Sequence, residues 1–230
     1  MLLLNKFYTT SINLDDIFGL YSFVRKGKSG SVIKNTLDII ATNVVLNSEI
    51  ARLTLTIPNC GGFSNVSEAF SIELITSLFN ATNFVTERQV QYKYQCKKID
   101  FLCTIDGNQV GVSVSRSAQY KELCDEQGKY TFLIAYRQIR KKLDGLLAAR
   151  AGITPTHSYD RSVLHIFCEN NFIANLLINA FPQAAKDMQV EDEISLLITI
   201  CGNRKLYDDD LSIFGDIIRP TPTNLKKIGL

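Results

Sequence analysis

Asp100 is the residue of this chain whose type least suits its surroundings. It falls in Lys97-Lys98-Ile99-Asp100-Phe101, at the entrance of an apolar strand-like run, where strand propensity disfavours a carboxylate. A charge placed there needs a partner or an ion. Upstream, Glu73 lies in a segment with helical spacing, and Glu68 is a rival acid in the same segment. Downstream, Ser113 and Ser115 stand two residues apart, so a strand presents both hydroxyls on one face. Carboxylates that gather Mg²⁺ or Mn²⁺ lower the pKa of a bound water and neutralise charge on phosphate oxygens. A lysine nearby then orients the nucleophile or shields the transition state.

The elements that must position these residues follow from periodicity and turn signals. Pro58, Asn59, Gly61 and Gly62 mark a break, before which the pattern predicts a helix near Ser31 to Leu46 and a strand at Arg52 to Ile57. After it Ser67 is a candidate N-cap, and Phe70, Leu74, Ile75, Leu78 and Phe79 give a helix over Glu68 to Asn80. Strands are predicted at Gln89–Gln95, Ile99–Ile105 and Val110–Arg116. The last two are joined by Asp106-Gly107-Asn108, whose Asp-Gly pair favours the positive φ of a tight hairpin turn. A long amphipathic helix spans Tyr130 to Arg150. Its apolar stripe points close to Ile139, which leaves Lys142 roughly 70° from the stripe centre and Lys141 almost opposite. Gln138, Gly145 and Ala149 share the flank of Lys142. A strand at Ser162–Cys168, a helix at Asn171–Ala185 and a strand at Ile194–Cys201 complete the pattern.

The order α-β-β-β-α-β, with an acid on the first helix and another entering a strand before a hairpin, resembles the PD-(D/E)XK nuclease superfamily. The likeness covers about 100 residues, Ser67 to Cys168. It implies an α/β fold with a restriction-endonuclease-like core, a mixed sheet flanked by helices at 63–202. An N-terminal extension (1–62) would pack on that core, and a C-terminal tail (203–230) would follow it. It also implies a metal-dependent enzyme acting on DNA or RNA, with Glu73, Asp100 and Ser113 as ligands of Mg²⁺ or Mn²⁺. Where the family carries acid-x-Lys on its third strand, this chain has Ser113-x-Ser115 followed by Arg116. The lysine function then falls to Lys142, or the domain is a pseudo-nuclease kept for binding nucleic acid or protein. Lys97, Lys98, Arg116, Gln138 and Arg150 are the expected nucleic-acid contacts, since guanidinium forks match phosphate oxygens.

Each residue also has a plainer reading. Glu73 can be a solvated helix acid, Asp100 an edge-strand acid paired with a surface base, Ser115 the polar face of a strand, and Lys142 a snorkelling side chain. Lys93, Lys97 and Lys98, interleaved with Tyr92 and Tyr94, form a basic and aromatic segment suited to a nucleic-acid backbone or simply to solvent. His165, inside an apolar run, reads as a core histidine. Arg25-Lys26-Gly27-Lys28-Ser29 lacks the first glycine of a phosphate-binding loop, where Ser22 stands, and is not a nucleotide site.

Bulk composition sets the outer bounds. The first 150 residues carry 18 basic and 13 acidic side chains and the last 80 carry 7 and 10, a mild asymmetry compatible with a polyanion facing the first part. The acidic run Asp208–Asp210 offers a separate docking point for a basic protein partner. Two histidines and six cysteines without a C-x-x-C spacing argue against a zinc site and for buried thiols in a reducing compartment. Met1-Leu2-Leu3-Leu4 is broken at once by Asn5 and Lys6, and no run reaches the roughly 20 apolar residues of a membrane span. The expectation is an intracellular protein, cytoplasmic or nuclear, without a membrane partner.

Overall fold

The most continuous apolar runs of the chain become its central strands, because a strand covered on both faces has no side that tolerates water. The computed structural model describes residues 1–25, 29–56, 64–119, 124–126 and 128–217. In chain order these form β1 (Leu2–Leu4), β2 (Tyr8–Ile12), α1 (Leu14–Val24), β3 (Val32–Ile39), α2 (Glu49–Thr54) and α3 (Asn65–Phe79). Next come β4 (Thr82–Thr86), β5 (Phe101–Ile105), β6 (Asn108–Ser117), α4 (Phe132–Gly152) and β7 (Arg161–Cys168). Last are α5 (Asn171–Asp187), β8 (Ile194–Ile200), α6 (Arg204–Tyr207) and a 3-10 segment, Leu211–Ile217.

The strands form one eight-stranded mixed sheet in the order β1-β2-β3-β8-β7-β6-β5-β4, flanked by helices. The four central strands β3, β8, β7 and β6 are parallel, and the outer pairs at each side are antiparallel. Alternation along each strand feeds two cores. Val163 and Phe167 join Val112, Val114 and Leu197 under α1, α2 and α3, while Leu164, Ile166 and Cys168 join Leu196 and Ile198 under α4 and α5. The strands β1 to β3, all within the first 39 residues, belong to this same sheet, and Tyr8, Ile12, Ile33 and Leu37 share its core. Among the described residues no helix is long and apolar enough to cross a membrane.

Three expected elements take another form. The segment read as a helix near Ser31 to Leu46 is β3. Its inward residues Ile33 and Leu37 are four apart, a spacing that suits a helix and a strand equally, and parallel pairing with β8 selects the strand. The segment read as a strand at Arg52–Ile57 is occupied by α2, which Ser48 caps by accepting the Ala51 N–H; Ile57 lies outside the described residues. The first hairpin strand is β4 rather than Gln89–Gln95. That stretch belongs to a long loop, in which Tyr92 makes a single bridge to Ile153 and accepts the Ile99 N–H on its hydroxyl. The other predicted helices and strands appear within a few residues of their expected ends.

His165 lies fully buried in β7 with both ring nitrogens engaged, Nδ1 with the Ser71 hydroxyl at 2.7 Å and Nε2 with the Thr199 hydroxyl at 2.7 Å. It thereby ties α3 to β7 and β8. Burial pushes its pKa down to about 3, so the folded protein stays neutral there while the unfolded chain takes up a proton below about 6.5. Stability is expected to fall on acidification from pH 6.5 toward pH 3, by about 1.4 kcal/mol per pH unit from this group. Urea midpoints between pH 7 and pH 4 should show that slope in the natural sequence. His165→Gln should be less stable at pH 7 but shallower by about one proton.

Candidate functional site

Asp-Gly in the hairpin turn sets the register on which the site depends. Asp106 (φ 50°) and Gly107 (φ 78°) both adopt the left-handed conformation, and Ile105 pairs with Asn108 across a two-residue turn. From that fixed end the two strands run to unequal lengths: β5 begins at Phe101, opposite Val112, whereas β6 continues to Ser117. Beyond this point β6 has no β5 neighbour, and its outward backbone groups need other partners. The Asp100 N–H still donates to the Val112 carbonyl at 2.9 Å. The Asp100 carboxylate then accepts the Val114 N–H at 2.6 Å, Lys142 Nζ donates to the Val114 carbonyl at 3.4 Å, and Gln138 Nε2 donates to the Arg116 carbonyl at 3.3 Å.

A cleft of about 450 Å³ opens over this edge. Its walls are the start of α3 (Ser64, Ser67), Asp100, the β6 stretch Val114 to Arg116, Lys142 of α4, and Tyr207 and Asp208 at the end of α6. Burial pushes the Asp100 carboxyl above its ordinary pKa, against the opposing pull of the Val114 N–H, the Lys142 ammonium and the Ser113 hydroxyl. Burial likewise pushes the Lys142 ammonium below its ordinary value. Asp100 and Glu68 pull it back up, and Lys141 and Lys97 push it further down. The two groups are thus drawn toward each other in proton affinity, an arrangement that can hold or move a proton beside a bound anion.

The structure gathers some of the expected residues and disperses others. Asp100, Ser115, Arg116 and Lys142 line the cleft, and Ser113 bonds the Asp100 carboxylate from just behind it. Glu73 is not brought there. It is fully buried, and its carboxylate accepts the Tyr8 hydroxyl and the N–H groups of Asn47 (2.9 Å) and Ser48 (2.8 Å), which fixes β2 and the start of α2 on α3. The helix acid whose charge reaches Lys142 is Glu68, one turn nearer the cleft, which accepts the Ser64 hydroxyl. Arg116 donates to the carbonyls of Leu206 and Tyr207 and stands 3.9 Å from Asp209. Gln138 is held inside by the hydroxyls of Ser117 and Tyr130. Arg150, at the far end of α4, pairs with Glu193 and donates to the Asp160 carbonyl. Lys97 and Lys98 are exposed, with Lys97 close enough to act on Lys142.

Residues 204–210 enter the site without a local signal, since only tertiary packing brings the end of α6 over β6. The acid run there serves the fold: Asp209 accepts the Val66 N–H at 2.8 Å, Asp208 lies 3.5 Å from Arg204, and Asp210 accepts from Ser212. The phosphate-loop-like stretch falls partly on residues 26–28, outside the described residues. Among the described residues no cluster of three or more His, Cys, Asp or Glu side chains is placed to hold a metal ion.

No protein-family model matches this chain, and no solved structure matches it. It is similar to the AAC-rich mRNA clone AAC4 protein of Dictyostelium discoideum, with 27% identity over 142 residues, 61% of this chain and 20% of that protein. The chain therefore spans about a fifth of the length of that relative.

Two outcomes follow from this geometry. Lys142→Met removes the cation beside Asp100, so the Asp100 pKa should rise further, and Asp100→Asn should lower that of Lys142 further; carbon-detected titration of the two side chains reads both. Glu73→Gln should cost about 2–4 kcal/mol in urea unfolding, because two backbone N–H groups and Tyr8 lose an ionised acceptor.

Proposed function

We propose that this chain is a nuclease-like domain of the PD-(D/E)XK type that acts on nucleic-acid phosphodiesters at the Asp100–Lys142 cleft. The observation that carries the reading is the convergence of Asp100, the Ser113–Ser115 strand and Lys142 on one cleft, with Lys142 arriving from the following helix. The element order supports it: α3, then the antiparallel strands β4, β5 and β6, then α4 and a parallel β7 agrees with the α-β-β-β-α-β order expected from the resemblance. Among the described residues five cysteines are free and three of them are buried, which suits an intracellular location, cytoplasmic or nuclear.

A divalent ion fits the cleft only in an open form. Mg²⁺ or Mn²⁺ that keeps most of its waters and takes substrate phosphate oxygens requires one or two protein carboxylates. Asp100 and the Val114 carbonyl would hold it, with Glu68 as the neighbouring acid, and the ion would supply an activated water and charge neutralisation. The chain's own groups do the rest. Lys142 places a positive charge against the phosphate, burial eases the loss of its proton, and Ser113 orients Asp100. Ser115 offers a hydroxyl to a phosphate oxygen in the cleft.

A second reading, binding without hydrolysis, is favoured by the engagement of Glu73 in the core and by the lack of charge at Ser113 and Ser115. The test is incubation of the purified chain with labelled single- and double-stranded DNA and RNA in Mg²⁺ or Mn²⁺, beside Asp100→Ala and Lys142→Ala. Hydrolysis should drop by about 100-fold in each variant. Undiminished cleavage by Asp100→Ala would remove the assigned site. Retention of the polymer without cleavage in the natural sequence would select the binding module.

A further inference from the structure

The loop between β4 and β5 forms a basic edge against α4. Residues 88–98 include four basic residues and no acidic one, and α4 carries five basic residues with Asp144 as its acid. The loop is pinned along the second half of that helix. Tyr92 bridges Ile153, and the Lys93 N–H donates to the Gly152 carbonyl at 2.8 Å. A Cβ on Gly152 would stand 2.5 Å from Cys96 Sγ and 3.4 Å from the Tyr94 ring, so the absence of a side chain there lets the loop lie directly on the helix. From Gly152 the loop returns along α4 toward Lys142, where the ammonium groups of Lys97 and Lys141 act together on Lys142. Ten residues of helix separate the two ends, a path of about 15 Å.

Beside exposed Gln91, Gln95 and Asp144, the loop and the helix it lies on present cations and, on the loop, one large aromatic to solvent. Lys97, Lys98, Arg137 and Lys141 are solvent-facing cations, and Tyr94 is a large aromatic left 55% exposed. A polyanion accounts for the cations. It does not account for an exposed aromatic ring, which gains most from the face of an unpaired base. A duplex keeps its base faces stacked inside and would leave Tyr94 in water.

We infer that the exposed basic edge formed by the loop 87–100 and α4 is a track for single-stranded nucleic acid, with Lys97, Lys98 and Lys141 on the backbone, Tyr94 stacked on a base, and the strand delivered to the Asp100–Lys142 cleft. The inference rests on the proposed phosphodiester function and adds the strand class and the route of approach. Arg116, Gln138 and Arg150, all engaged within the fold, are not part of the track.

Fluorescence anisotropy of the full chain tests it, with a short labelled thymidine strand, the matching duplex and polyglutamate as probes. The single strand should bind more tightly than the duplex, and polyglutamate should compete poorly. Tyr94→Ala should weaken the single strand by about 5- to 100-fold and leave the duplex nearly unchanged. The double variant Lys97→Glu, Lys141→Glu should weaken it further and flatten the slope of log affinity against log salt by about 0.7 for each cation lost. Equal binding of duplex and strand, equal competition by polyglutamate, or wild-type binding by either variant overturns the track. Asp100→Ala, run in parallel, separates the two readings. Track variants that lose binding while Asp100→Ala leaves hydrolysis unchanged refute the cleft alone. The reverse pattern refutes the track alone, and no binding of any polynucleotide refutes both.

Discussion

The unequal length of β5 and β6 is the constraint on which the site depends. A backbone edge cannot be left without hydrogen-bond partners inside a protein. Where β5 stops, Asp100, Lys142 and Gln138 take over the ladder from side chains, and two of the three are ionisable. The fold has thus placed a carboxylate and an ammonium on the two polar groups of a single residue, Val114. One interaction serves structure and chemistry together: the groups that close the strand edge are those that face the cleft.

The start of α3 forms one wall of the cleft, and polar contacts along the helix fix its place. Glu73 anchors it to β2 and to the start of α2, His165 and Ser71 anchor it to the central sheet, and Asp209 takes the Val66 N–H at its first turn. These are buried polar contacts in an otherwise apolar layer, and such contacts specify one arrangement because every alternative leaves a group unpaired. Phe214 stacks on Phe70 with ring centroids 5.5 Å apart and fixes the C-terminal segment that brings Tyr207 and Asp208 to the rim. Glu73 and Asp209 therefore act as anchors, while Asp100 and Asp208 line the cleft.

Electrostatics makes the cleft different from its surroundings. Burial shifts Asp100 and Lys142 in opposite directions, and each is the other's main source of compensation among the side chains nearby. Lys97 and Lys141 add positive charge at the rim, so an anion arriving there stabilises Lys142 in its charged form. The Asp208–Asp210 run, which by composition suggests a docking point, is engaged within the fold: Asp209 accepts the Val66 N–H of α3, Asp208 lies beside Arg204, and Asp210 accepts from Ser212.

The sequence by itself determined the hairpin at Asp106-Gly107, the helices α3, α4 and α5, the inner strands β7 and β8, and the misfit of Asp100 with its apolar surroundings. It also singled out Lys142 over Lys141, because helical geometry alone fixes which flank of α4 each lysine occupies. These are local consequences of side-chain period, turn conformation and the misfit of a charge in an apolar run. Tertiary structure alone decided that residues 32–39 form a strand and 49–54 a helix, since spacings of four fit both periods and pairing with β8 or capping by Ser48 breaks the tie. It alone decided between Glu73 and Glu68. They lie five residues apart on one helix and both are buried, and what packs against α3 gives Glu73 to Tyr8 and the Asn47–Ser48 turn and Glu68 to the Ser64 hydroxyl.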